Sequence, residues 1–141
     1  VFVVTGHQAA DVAAALDGCD VGLVFNPAFK DGMGTSIRAG IEALPDDADA
    51  VMICLADMPE IQPSTMSALI AAFDPAAERS ICVPVNDGRR GNPVVFGAGH
   101  FGALADIDGD RGGRDIIDAH ASGVFPVATA DVGIFRDYDT I

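Results

Sequence analysis

Apolar positions along the chain follow two periods. Val1 to Val4 and Val21 to Phe25 are short runs rich in β-formers, the first broken by Thr5-Gly6 and the second closed by Asn26-Pro27. Between them, Ala9 to Leu16 carries Val12 and Leu16 one turn apart, which predicts a helix. Thr35 to Leu44 places Ile37, Ile41 and Leu44 on an i, i+4, i+7 stripe, and Pro45-Asp46-Asp47 stops it. Val51 to Leu55 is a near-continuous apolar run of strand length, the pattern of a central parallel strand covered on both faces. Pro63 opens the next helix at a first-turn position, and Met66, Leu69, Ile70 and Phe73 share one face of it. Further strands are predicted at Ile81 to Val85, Val94 to Phe96, Val124 to Val127 and Ile134 to Tyr138. The stretch Gly97 to His120 reads as helical, interrupted by a polar loop from Asp106 to Gly113.

Strands spaced by single helices predict βαβ units, and hence one α/β domain built on a mostly parallel sheet. The apolar run Val51 to Ala56 is far shorter than the ~20 residues of a membrane span. The chain has 141 residues with 8 basic and 21 acidic side chains, a formal net charge of −13. Lys30 is the sole lysine. Such a surface repels phosphate backbones and anionic lipid, which argues against nucleic acid and membranes as partners. An anionic substrate must then be met locally, by a metal ion, a helix N-terminus or an arginine. The three cysteines, Cys19, Cys54 and Cys82, form no metal-ligand or redox spacing, and Cys54 and Cys82 sit in apolar runs as buried hydrophobes would. A reducing cytoplasm is the compartment that this usage predicts.

Ligands of open α/β sheets bind beyond the carboxyl ends of the strands, where the polar motifs of this chain fall. Asp57 directly follows the most hydrophobic strand, so its carboxylate is placed either to ligate a hard cation such as Mg2+ or simply to cap the next turn. Gly32-Met33-Gly34-Thr35-Ser36 opens a helix, so backbone N–H groups and the helix dipole are expected to face a phosphate or nucleotide. An ordinary strand–helix connection with a hydroxyl cap is the plainer alternative. No lysine follows Gly34, which excludes a P-loop. Arg89-Arg90-Gly91-Asn92-Pro93 and Gly109-Asp110-Arg111-Gly112-Gly113-Arg114 are polar turns with arginines suited to phosphate, or to solvated loop tips. His7, His100 and His120 have no metal-ligand spacing, and His100 and His120 read as surface or interface residues.

Taken in order, Val3-Val4-Thr5-Gly6-His7-Gln8, Asn26-Pro27 through Gly34-Thr35-Ser36-Ile37-Arg38-Ala39-Gly40, Leu55-Ala56-Asp57-Met58-Pro59, Gly91-Asn92-Pro93-Val94, Gly109-Asp110-Arg111-Gly112 and Asp137-Tyr138-Asp139-Thr140 resemble the MobA-like nucleotidyltransferases. Within these, the molybdenum cofactor cytidylyltransferase branch is the most similar. The resemblance implies a three-layer α/β/α sandwich with a Rossmann-like, mostly parallel sheet, spanning residues 1–141 as part of one nucleotidyltransferase domain. It implies transfer of CMP from CTP to the phosphate of a molybdopterin acceptor, with Mg2+ and release of pyrophosphate. A recipient molybdoenzyme or its chaperone would stand downstream. Asp57 matches the family's catalytic, metal-binding aspartate, and Asp139 matches a second metal contact. Gly34, Thr35 and Ser36 match the loop facing the nucleotide. Asn92, Pro93, Asp110 and Arg111 match segments lining the acceptor.

Three departures accompany the resemblance. The family's first strand and its glycine-rich signature, which hold the triphosphate, are missing from this sequence, as are the remainder of the terminal motif and its helix. Ala56 stands where many members have Gly, and Asn92 where many have His. The expectation is that this chain alone binds NTP weakly or not at all and is an inactive fragment of an active enzyme. Transfer to another acceptor or from another base (GTP, a sugar or terpenoid phosphate) and a non-catalytic nucleotide-binding module are the competing expectations.

Overall fold

A computed structural model describes residues 1–139. In chain order the strands are β1 (Phe2–Thr5), β2 (Gly22–Phe25), β3 (Ala50–Ile53), β4 (Ile81–Asn86), β5 (Arg89–Arg90), β6 (Val94–Gly97) and β7 (Val124–Ala128). The helices are α1 (Ala9–Ala15), α2 (Met33–Glu42), α3 (Pro63–Ala72), α4 (Phe101–Ala105) and α5 (Arg114–Ala119). They form two compact units, one of residues 1–48 with 100–119 and the other of residues 49–99 with the chain from 120 onward.

In the first unit β1 and β2 pair in parallel, in a register running from Phe2 opposite Gly22 to Thr5 opposite Phe25. A parallel pair needs a crossover, and α1 supplies it. Helix α2 lies against this sheet and against α4. Gly40 lets it approach, since a Cβ there would lie 3.3 Å from Val4 Cγ2. Arg38 ties the helix pair by donating from Nε to the Ala105 carbonyl at 2.6 Å.

The second unit is built around β4, whose residues Ile81 to Pro84 are buried. One edge of β4 pairs in parallel with β7, from Ile81 opposite Val124 to Val85 opposite Ala128. Its other edge pairs antiparallel with two strands in succession: β6 at Ile81 and Cys82, and β5 at Val85 and Asn86. β6 pairs antiparallel with β3, from Ala50 opposite Gly97 to Ile53 opposite Val94. Helix α3 packs on β4, β6 and β7. Leu69, Cys82 and Val95 form the buried centre, with Met52, Phe73, Phe125 and Val127 around it.

The expectation of a mostly parallel sheet therefore holds for β1–β2 but is corrected in the second unit, where β4–β7 is the one parallel pairing described. The cause is local. Asp87 and Gly88, with φ of 49° and 77°, close a two-residue hairpin between β4 and β5. Only Gly91, Asn92 and Pro93 then separate β5 from β6. That is too short for a parallel crossover, so β6 returns antiparallel.

Two strand expectations are also corrected. Val51 to Leu55 is not a central strand: β3 ends the row beside β6, and all four of its residues are half-buried. Cys54, expected inside, falls past the strand end and is exposed, whereas Cys82 is buried as expected. Ile134 to Tyr138 is not a strand, because Val132–Phe135 is a 3-10 turn. Ile134 is buried, and its carbonyl accepts from the Asn92 amide at 3.1 Å instead of joining a ladder. His100, expected at the surface, is buried. No helix among the described residues is long and apolar enough to cross a membrane.

Candidate metal and nucleotide sites

The metal candidate lies in the second unit. After β3 the chain turns, with the Met58 amide donating to the Leu55 carbonyl at 3.2 Å. Burial of Met58 and Ile61 anchors this loop and leaves the Asp57 carboxylate accessible to solvent. Residues 136–139 come alongside it, and the Tyr138 amide donates to the Asp57 carbonyl at 2.7 Å. In extended backbone alternate side chains share a side. Arg136 and Tyr138 accordingly both reach Glu60, Arg136 Nη1 at 2.5 Å from Oε2 and the Tyr138 hydroxyl donating to Oε1. Asp137 and Asp139 turn to Asp57. The three carboxylates each offer an oxygen within 4.8 Å of the others.

Asp57 and Asp139 thus lie closer together than the ~5–8 Å that a water-bridged ion would require. The third member, Asp137, was not singled out from the sequence. Its signal was the alternation of Asp137-Tyr138-Asp139, which puts two carboxylates on one side of an extended segment. Three adjacent carboxylates repel one another, a repulsion that a hard divalent cation with oxygen ligands would offset. Two ligands trans on Mg2+ are ~4.2 Å apart, within small side-chain rotations of the observed cluster. The donor set fits Mg2+ or Mn2+.

The loop holding these groups is pinned by two other carboxylates. Hydrogen bonds from Tyr138 and Arg136 hold the Glu60 carboxyl below its usual range, and the same bond pushes the Tyr138 phenol up. Asp131 accepts from the Gln62 amide at 2.8 Å, the Thr65 hydroxyl at 2.7 Å and the Gly133 amide at 2.8 Å. Burial alone would raise Asp131, but these three donors outweigh it and hold the carboxyl low. Gly133 is required by contact: a Cβ there would lie 2.3 Å from the Glu60 carbonyl oxygen.

The nucleotide candidate, Gly34 to Ser36, lies in the first unit at the start of α2. Free amides were expected there, and the structure corrects this. The Met33 amide donates to Asp110 Oδ1 at 3.0 Å, that of Gly34 to the Gly109 carbonyl at 2.9 Å, and that of Thr35 to the Gly32 carbonyl at 3.2 Å. The approach is so close that a Cβ on Gly34 would meet the Ile107 oxygen at 2.3 Å. The hydroxyls are engaged too. Buried Asn26 donates from Nδ2 to Thr35 Oγ1 at 2.9 Å and to Ser36 Oγ at 3.0 Å, while its Oδ1 accepts from the Ala28 amide at 3.0 Å. Asn26 is therefore an organiser of this loop, whereas the sequence placed it at a strand end and in the resembling run without giving it that role. An open groove of about 420 Å³ runs beside it, lined by Phe25, Asn26, Pro27, Thr35, Arg38 and Glu42 among others.

The four residues expected to line the acceptor divide between the units. Asp110 and Arg111 belong with Gly34 to Ser36: Asp110 caps Met33, and Arg111 pairs at 3.4 Å with Asp115 on an exposed turn. Asn92 and Pro93 belong with the carboxylate cluster, joined by a cis peptide bond, with Pro93 buried and Asn92 bonded to Ile134.

These features define an α/β chain of the nucleotidyltransferase-like class, with a carboxylate cluster just beyond a strand's carboxyl end. The chain belongs to the MobA-like NTP transferase domain family, whose sequence profile matches residues 1–124. It is 31% identical over 111 residues to the purine catabolism protein PucB of Bacillus subtilis, covering 77% of this chain and 52% of that protein. It thus spans about half the length of this relative. Among solved structures it is similar to Rv0371c of Mycobacterium tuberculosis in complex with manganese, at 26% identity and a TM-score of 0.72, covering 93% of this chain and 71% of that one. A nucleotidyl transferase of Methanothermobacter (Mth528) shares the fold at 23% identity and a TM-score of 0.75, over 92% of this chain and 62% of that one.

Proposed function

We propose that the protein is a Mg2+-dependent nucleotidyltransferase that moves CMP from CTP to the phosphate of a molybdopterin-type acceptor and releases pyrophosphate. The carrying observation is the Asp57, Asp137 and Asp139 cluster in a member of this family. The manganese complex of the related Rv0371c supports use of a divalent ion in this reading. In this reading residues 1–141 serve one nucleotidyltransferase domain with the three-layer sandwich of its class. The compartment is the cytoplasm. The product passes to a recipient molybdoenzyme or its chaperone, and neither nucleic acid nor membrane takes part.

Asp57 and Asp139, with Asp137 beside them, would hold the ion. When bound it supplies charge neutralisation for the reacting phosphates. The remaining work of the chain is positional. Asp57, in the loop beyond β3, and Asp139, on the segment docked against it, would keep the ion's ligands together. Gly34, Thr35 and Ser36, held rigid by Asn26, present the nucleotide-facing surface. Asn92 and Pro93 in the second unit, and separately Asp110 and Arg111 in the first, are the candidates for acceptor contact. The acceptor's terminal phosphate is itself the nucleophile, so no side chain needs to be one.

The test is pyrophosphate release with CTP, GTP and the other NTPs in turn, against molybdopterin and against sugar or terpenoid phosphates. Preference for CTP with molybdopterin is the expected result. Preference for GTP, or turnover with a sugar phosphate alone, replaces the base or the acceptor in this reading. Nucleotide binding without turnover replaces the enzyme by a binding module.

A further inference from the structure

Glu60 lies three residues beyond Asp57 and is not a member of the carboxylate cluster, yet it meets both residues that flank Asp137. Its Oε2 holds Arg136 Nη1 at 2.5 Å and its Oε1 accepts the Tyr138 hydroxyl. The same stretch is fixed from the main chain by the bond from the Tyr138 amide to Asp57, and Gly133 packs directly on the Glu60 carbonyl. Arg136 and Tyr138 thus meet Glu60 while Asp137 and Asp139, alternating with them, meet Asp57, so fixing the first pair sets the direction of the second.

We propose that Glu60 is a positioning residue of the metal site, a bracket that grips Arg136 and Tyr138 so that Asp137 and Asp139 converge on Asp57. This rests on the metal reading of the cluster. Residues that orient metal ligands without touching the ion typically govern affinity by ~10–100-fold. The bracket differs from a direct electrostatic role. A carboxylate acting only through its charge would be indifferent to the Tyr138 hydroxyl, whereas a bracket needs it.

Binding of Mn2+ alone, followed by the loss of the free-ion EPR signal, tests this together with the thermal midpoint of each variant. Wild type should bind Mn2+ and Asp57→Asn should not. Glu60→Ala and Tyr138→Phe should each weaken binding ~10-fold with the midpoint unmoved, and the double variant should bind no more weakly than Glu60→Ala alone. If Glu60→Ala does not fold, Tyr138→Phe, which removes one oxygen from an exposed ring, carries the test by itself. Unchanged binding in Tyr138→Phe overturns the bracket, whether or not Glu60→Ala binds weakly. A loss of binding matched by a drop in the midpoint overturns it as well, leaving a purely structural contact. A wild type that does not bind Mn2+, or an Asp57→Asn that binds normally, overturns the metal reading beneath it.

Discussion

The amide of Tyr138 donates to the carbonyl of Asp57 across 2.7 Å, and this main-chain bond brings a terminal segment onto the loop that follows β3. It uses no side-chain atom of either residue. The carboxylates around it can therefore be altered one at a time without releasing the segment.

Asp57→Asn keeps the shape of the side chain and removes one charge from a cluster of three. Mutual repulsion falls, so stability should change by no more than ~0.5 kcal/mol, as for other surface substitutions. In the active protein, pyrophosphate release should fall by at least ~100-fold, the scale of losing one charge-stabilising group. Near-normal release would remove Asp57 from the chemistry.

Gly34→Ala should destabilise the first unit, although alanine normally improves a helix by ~1 kcal/mol over glycine. The new Cβ would meet the Ile107 carbonyl oxygen at 2.3 Å, and that oxygen is backbone, so the loop must retreat. With it go the caps from Gly109 and Asp110, for a net cost of ~1–3 kcal/mol in urea unfolding. Gly102→Ala in α4 is the control. Nothing lies within 4 Å of where a Cβ on Gly102 would stand, and this variant should be neutral or stabilising.

Asn26→Ala should cost ~2 kcal/mol, because the residue is 3% exposed and the Ala28 amide and two hydroxyls lose their partner together. Equal midpoints for wild type and alanine would show that the clamp contributes nothing.

Asp131 gives a pH signature. Its carboxyl is held low in the folded protein, so its contribution is complete above the unfolded value of ~3.9 and is lost as pH falls through the lower, folded value. Asp131→Asn should be ~1–2 kcal/mol less stable than wild type at pH 7, from its hydrogen bonds. The gap should close below pH ~4. A gap that stays constant from neutral pH to pH ~3 would refute this assignment.

The strands and helices were legible wherever local pattern decides them. β1, β2, β4 and α3 follow from apolar runs and from Pro63, and Asp57 was found because it ends such a run. What failed depended on distant partners. The direction of β6 was set by a two-residue hairpin and a three-residue link, which the prevailing strand–helix alternation masked. Ile134 to Tyr138 has the composition of a strand, but the Ile134 carbonyl and the Tyr138 amide are taken by Asn92 and Asp57. The amides of Met33 and Gly34 looked free because their acceptors lie far along the chain. The Glu60 contacts to Arg136 and Tyr138 have no local pattern at all.

The cap on α2 also bears on the order of folding. Met33 and the Asp110 carboxylate that accepts from it are separated by 77 positions, and the second unit's β3 to β6 are inserted between them. As the chain leaves the ribosome, α2 emerges with its first amides hydrated, and the strands of the other unit follow before Gly109 and Asp110 appear. Closure of this long loop belongs to a late step, after β3, β4 and β6 have been made and can pair. Weakening the Gly109–Asp110 contact should therefore speed unfolding more than it slows refolding.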